Sequence, residues 1–244
     1  MTTPKIIQSP SPNFDERRDG AEPRLLIMHY TGMASGKEAL ARLRDGEARV
    51  SAHYLIMEDG RIHSLVPEEM RAWHAGVSDW EGETDINSLS IGIELVNPGH
   101  DYPGYKGDYR PFPEAQMLSL AELSKGILER HQIKPWHVLG HSDVAPTRKI
   151  DPGELFDWKW LAGQGVGVWP DLSDESELPN VREFQRKLQN FGYGIRLTGE
   201  LDEQTRTVLS AFQRHFRPQD FSGEPDAQSF ARLKFLLGIK ESLS

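Results

Sequence analysis

Cysteine is missing altogether, which rules out both a disulfide framework and thiolate metal ligands. Long apolar runs are missing too. No stretch approaches the ~20 residues that a helix needs to cross a bilayer, so no transmembrane segment is expected. The first twenty residues, MTTPKIIQSPSPNFDERRDG, lack the basic stretch and following apolar stretch of a secretory signal. Positive charge is outnumbered, 28 Lys and Arg against 37 Asp and Glu. The net charge of −9 argues against binding a phosphate backbone and so against nucleic acid as a partner. The imbalance is uneven. Residues 179–244 carry ten basic and eight acidic side chains, leaving eighteen against twenty-nine for residues 1–178. That difference reads either as ordinary solubility or as a C-terminal part suited to something mildly anionic.

What remains is a globular composition. A chain of 244 residues with 37% hydrophobic content is long enough to bury roughly three quarters of its unfolded surface. The polar, Pro-rich residues 1–21 read as an arm laid over the surface. Leu25–Met28 and Leu89–Val96 are short apolar runs that predict buried strands. His53–Met57 and Arg61–Val66 flank Glu58-Asp59-Gly60 and predict a hairpin. Val77–Asn87 is polar and loop-like. Pro113–His131 predicts the longest helix, with Pro113 suited to its first turn and Glu114 to its positive end. A short strand at Val138–Leu139 and a short helix at Asp157–Leu161 follow. Strands interleaved with helices predict an α/β domain over residues 22–163, a mixed central sheet flanked by helices. Residues 164–178 have the Gly, Pro, Ser and acid content of a linker. Beyond it Val181, Phe184, Leu188 and Phe191 follow helical spacing. Asp202 and Asp226 are placed to cap two further helices. Residues 179–244 therefore predict a small all-α three-helix domain.

The chemistry is concentrated at element ends. His29 closes the first apolar strand, His141 follows the strand at Val138–Leu139, and Asp151 sits in RKIDPG. Each alone is readable as structure: a hydrogen-bonded histidine, or a turn residue before Pro152. Together, two imidazoles and a carboxylate form the ligand set of a catalytic zinc with one position left open. The spacing is no compact motif, since His29 and His141 are 112 positions apart. Glu94 interrupts the apolar strand Ile91–Val96. Burying a carboxylate there is costly unless it is paired or functional, so Glu94 is either a salt-bridged core residue or a general base. Lys149 lies two residues from Asp151, and in extended chain the two face one way. Trp73, His74 and Asn97 are candidates for lining the same cleft, and Tyr30 and Arg148 are counted with them as substrate contacts. His53, before an apolar strand, reads either as a support behind the ligands or as structural, while His63, His100, His131, His137 and His215 show no identifiable partner.

At MHYT, SAHYLI, RAWHAG, SIGIELVN and GHSDVAPTRKIDPG the chain resembles the zinc-dependent type 2 N-acetylmuramoyl-L-alanine amidases, within the superfamily that includes the peptidoglycan recognition proteins. The last segment is specific, with Lys and Asp eight and ten residues after its His. The resemblance implies one zinc per chain on His29, His141 and Asp151. It implies a zinc-activated water as nucleophile, Glu94 as general base and Lys149 as oxyanion stabiliser. The implied substrate is the lactyl amide between N-acetylmuramic acid and L-alanine, in peptidoglycan or soluble muropeptides. VREFQRKLQNFGY and TGELDEQTRTVLSAFQRHF resemble the three-helix peptidoglycan-binding domain. That likeness implies a wall anchor whose removal would spare cleavage of soluble muropeptides. The alternatives are a non-catalytic peptidoglycan-recognition protein of the same fold, another zinc hydrolase such as a deacetylase, or a metal-free domain. Compartment stays open between cytoplasm and the periplasm or wall of a bacterium.

Overall fold

The apolar run that begins at Leu25 is an inner strand of a six-stranded mixed sheet. The computed structural model describes residues 6–172 and 177–242. Its strands are β1 (Ile6–Gln8), β2 (Phe14–Glu16), β3 (Leu25–Tyr30), β4 (Tyr54–Ile56), β5 (Ile62–Ser64), β6 (Met70–Ala72), β7 (Ser90–Leu95) and β8 (Val138–Gly140). Its helices are α1 (Gly36–Leu43), α2 (Ile86–Leu89), α3 (Glu114–His131), α4 (His141–Val144), α5 (Trp158–Gly163), α6 (Val181–Phe191), α7 (Glu203–Phe216) and α8 (Ala227–Ser242). The main sheet runs β1-β5-β4-β7-β3-β8, and β2 and β6 form a separate antiparallel ribbon. β3 is parallel to both neighbours, while β4 and β5 form the antiparallel hairpin. Gly60 turns that hairpin with φ +85°, and a Cβ there would stand 2.7 Å from the Ala115 carbonyl.

Alternation along β3 divides the core in two. Leu26 and Met28 pack with Ile91, Ile93 and Leu95 of β7 against Met117, Leu120, Leu123 and Ile127 of α3. On α3, Leu120, Leu123 and Ile127 are buried, while Leu118 is exposed. Leu25 and Ile27 point the other way. There they join Trp80, Leu139 and Val144 in one cluster with Phe184, Leu188, Phe191, Phe212 and Phe216 of α6 and α7. The three C-terminal helices thus cover the second face of the sheet. Their starts follow the capping logic: Asn180, Asp202 and Asp226 accept from the amides of Glu183, Thr205 and Ser229.

The N-terminal arm is woven into the fold. β1 adds a parallel edge strand to β5, and β2 pairs with β6. The buried Arg17 donates to the carbonyls of Glu68, Asn87, Ser88 and Ser90. The linker predicted at 164–178 falls partly outside the described residues, at 173–176, as do residues 1–5 of the arm and 243–244 at the end. Its described part is packed. Val166 is buried, and Arg232 lies over Trp169 while donating to the Pro170 carbonyl. No helix among the described residues is long and apolar enough to cross a membrane.

Candidate metal centre and active site

Three strands deliver the chemistry to one end of the sheet. His29 and Glu94 are register partners on the parallel strands β3 and β7. β8 ends at Gly140, opposite Met28, so His141 emerges beside His29. This is the carboxyl end of the parallel strands, where open α/β sheets place their sites. Asp151 arrives from the loop after α4, its carbonyl accepting from the Ser142 amide.

His29 Nδ1, His141 Nδ1 and Asp151 Oδ2 converge. The nitrogens are 3.0 Å apart, and the oxygen lies 3.1 Å from the first and 3.0 Å from the second. All three residues are buried. Ligands at ~2.0–2.1 Å around a tetrahedral cation stand about 3.3 Å apart, close to the spacing seen here. The two remaining ring nitrogens are already committed. His141 Nε2–H donates to the Ala75 carbonyl at 3.0 Å. His29 Nε2–H faces His74 Nδ1 at 3.0 Å, and His74 Nε2 reaches Ser90 Oγ, whose hydroxyl donates to the Ile86 carbonyl. These outer bonds fix both rings in the tautomer that turns an Nδ1 lone pair inward. Three lone-pair donors aimed at one buried point fit a divalent cation, and this is the metal-competent cluster among the described residues.

Electrostatics agree with that use. Burial, then the neighbouring His141, pushes His29 down to about 4, so the ring is neutral at physiological pH. Burial would raise Asp151, but His141 and His29 outweigh it and hold the carboxyl well below its usual range. Glu94 behaves oppositely. Burial and the charge of Asp151 push it up to about 8, against the pull of Lys149. Its Oε2 is buried without a hydrogen-bond partner among the described residues. Glu94 and His74 share a pocket of about 170 Å³ with Thr31, Arg42 and Ser51. The ammonium of Lys149 acts on both His29 and Glu94.

The residues expected at the substrate are spread more widely. His74 stands behind His29, and Gly92 makes room for it: a Cβ there would fall 2.6 Å from the imidazole. Arg148 donates to the carbonyls of Ala75 and Val77, holding the loop that receives His141. Asn97 is buried and ties the loop beyond β7, donating to the Arg110 carbonyl and accepting from the Gly99 amide. Trp73 Nε1 donates to Asp15 of the arm. Tyr30 is half-buried, its hydroxyl 3.1 Å from His100 Nδ1. The histidines without an evident partner in sequence all have one: His63 with Ser9, His100 with Tyr30 and Glu154, His131 with Glu68, His137 with Glu81, and His215 with Asp143. Those partners lie far off in the chain, so local pattern carries no signal for them.

The chain has counterparts among known proteins. The N-acetylmuramoyl-L-alanine amidase family matches residues 19–154, more than half of the chain. The chain belongs to that family. The amidase region is followed by a match to a peptidoglycan binding domain family over residues 177–233. The N-acetylmuramoyl-L-alanine amidase AmiD of Escherichia coli K12 is 39% identical over 252 residues, spanning 95% of this chain and 90% of its own. The structure of AmiD in complex with anhydro-N-acetylmuramic acid-L-Ala-D-gamma-Glu-L-Lys matches with a TM-score of 0.80 at 38% identity, covering 93% of this chain and 98% of that one. AmpDh3 from Pseudomonas aeruginosa, in complex with an anhydromuramic pentapeptide, matches with a TM-score of 0.82 at 34% identity, covering 92% and 94%. The 1,6-anhydro-N-acetylmuramyl-L-alanine amidase AmpD of Escherichia coli K12 is 37% identical over 166 residues, spanning 61% of this chain and 86% of its own. The region matched by the amidase family contains the metal-competent cluster.

Proposed function

We propose that this amidase is a zinc enzyme that hydrolyses the amide between the lactyl group of N-acetylmuramic acid and L-alanine, with anhydromuramyl peptides among its substrates. The observation that carries the reading is the convergence of His29, His141 and Asp151 beside an unpartnered Glu94 at the same strand register. The substrate class is supported by the anhydromuramyl peptides in the AmiD and AmpDh3 complexes. His29, His141 and Asp151 would hold one zinc, which when bound supplies Lewis acidity to the attacked carbonyl and to a water.

The protein's own groups then divide the proton work. Glu94, once ionised, takes the proton of the attacking water and returns it to the leaving α-amine of L-alanine. Lys149 faces the developing oxyanion, a contribution typically worth ~3–4 kcal/mol per donor. His74 and the Ala75 carbonyl keep the two imidazoles in register. Tyr30, Trp73 and Arg148 are assigned to substrate contacts, and residues 179–244 to wall binding.

Glu94→Gln tests the reading. Turnover on anhydromuramyl peptide should fall ~10²–10⁴-fold while one equivalent of zinc stays bound. Near-normal turnover in that variant would remove Glu94 from the mechanism. Mass spectrometry of the wild-type products should find free L-alanine amines; a freed amine on the sugar, with release of acetate, would indicate a deacetylase instead.

A further inference from the structure

His141 sits on a four-residue helix, α4, too short to hold itself in place. Asp143, two residues along it, is fully buried. Its Oδ2 accepts from the Gly140 amide at 2.7 Å, the one bond its own segment provides. The other two come from the C-terminal helical module. Tyr193 Oη–H donates to Oδ1 at 2.6 Å, and His215 Nδ1–H donates to Oδ2 at 2.7 Å. The His215 ring is itself clamped, stacked on Trp158 at 3.7 Å and on Phe216 at 3.8 Å. Its neighbour Arg214 pairs with Glu154 at 3.6 Å, and Glu154 holds His100, which meets Tyr30. α7 thus grips residues 141–158 at Asp143, Glu154 and Trp158. His141 stands two residues before the first grip, and Lys149 and Asp151 lie between the first two.

A buried carboxylate stripped of two of its three donors carries a penalty of several kcal/mol. The segment would shift to relieve it, and His141 would shift with it. We infer that Tyr193 and His215 are positioning residues for the metal centre, so that the C-terminal module completes the active site in addition to any part it plays in binding the wall. This rests on the zinc-site reading above. It runs against the expectation that the module is dispensable for soluble muropeptides.

The test uses the full-length chain and zinc alone, with affinity measured by competition against a chelator and thermal stability recorded alongside. Tyr193→Phe removes only a hydroxyl. His215→Phe keeps an aromatic ring for stacking but removes the N–H, and His215→Asn restores a donor near Nδ1. Phe230→Leu is the control; it loosens packing on Phe184 within the module, away from Asp143. Outer-shell partners of metal ligands typically matter by 10–100-fold, so Tyr193→Phe and His215→Phe should each weaken zinc binding by about tenfold. His215→Asn should recover most of that affinity. Phe230→Leu should lower the melting temperature without moving zinc affinity. Unchanged affinity in both Phe variants overturns the inference, as does an equal loss in the control. If the wild type binds no stoichiometric zinc, the reading of the centre falls and takes this inference with it.

Discussion

The two faces of the sheet are made by the same strands and do different work. On the α3 side, β3 and β7 present Leu26, Met28, Ile91, Ile93 and Leu95 to an apolar helix stripe. On the other side they present Leu25 and Ile27, then His29, Gly92 and Glu94. The first face is a packed layer that needs no polar partner. The second begins as core and ends as chemistry, and it is closed by helices from the far end of the chain. A period of two along a strand lets one element serve both purposes. The cost is that the second face contains buried histidines and carboxylates, each needing a partner.

This comparison can be broken by substitutions that separate stability from metal binding. The largest effect is expected for Leu120→Ala on the α3 face, where leucine truncation at a fully buried site costs ~2–5 kcal/mol. Denaturant unfolding should show that loss while zinc affinity stays near wild type; a parallel fall in zinc affinity would mean the faces are not separable. Gly92→Ala should instead weaken zinc binding along with stability. Its methyl group meets the His74 ring at 2.6 Å, displacing the acceptor behind His29. Chelator competition should show affinity weakened by ~10-fold or more, with a stability loss of about 1–3 kcal/mol from overpacking.

A separate effect is on acid sensitivity, and its sign follows from burial. Burial, joined for His29 by His141 and partly offset for His53 by a hydrogen bond to the Met70 carbonyl, lowers His29 to about 4 and His53 to about 3. His74 is driven well below its ordinary value by burial and by His29. In the unfolded chain each takes up a proton near pH ~6.5. Below that pH the unfolded state binds more protons than the native one, so stability declines as pH falls toward 4. Melting temperatures of zinc-stripped protein between pH 7 and 4 should show this, and His53→Gln should flatten the slope. A flat wild-type profile would mean that these histidines are not held neutral.

Much of this architecture was legible in the sequence because its signals are local. The apolar runs at Leu25 and Leu89 mark β3 and β7, Gly60 marks the hairpin turn, and Asp202 marks the start of α7. The segment GHSDVAPTRKIDPG marks two metal-competent side chains. What stayed hidden depends on distance. Tyr193 and His215 reach Asp143 across 50 and 72 positions, and no window of sequence relates them. β1 and β2 were hidden in a Pro-rich arm because three-residue edge strands are specified by backbone pairing more than by side-chain pattern. The second module looked separable because its linker composition says nothing of Phe184 or Phe212 sharing a core with Ile27.

Arg17 shows what the arm contributes. Its guanidinium spreads planar N–H groups over the carbonyls of Glu68, Asn87, Ser88 and Ser90, stitching the turn before β6 to the start of β7. An ammonium offers three protons from a single point and cannot span that ring of acceptors. The leading residues therefore act as a latch slid beneath the histidine layer, and a protease that clipped the chain just past Arg17 would spring the site open from behind without touching a ligand.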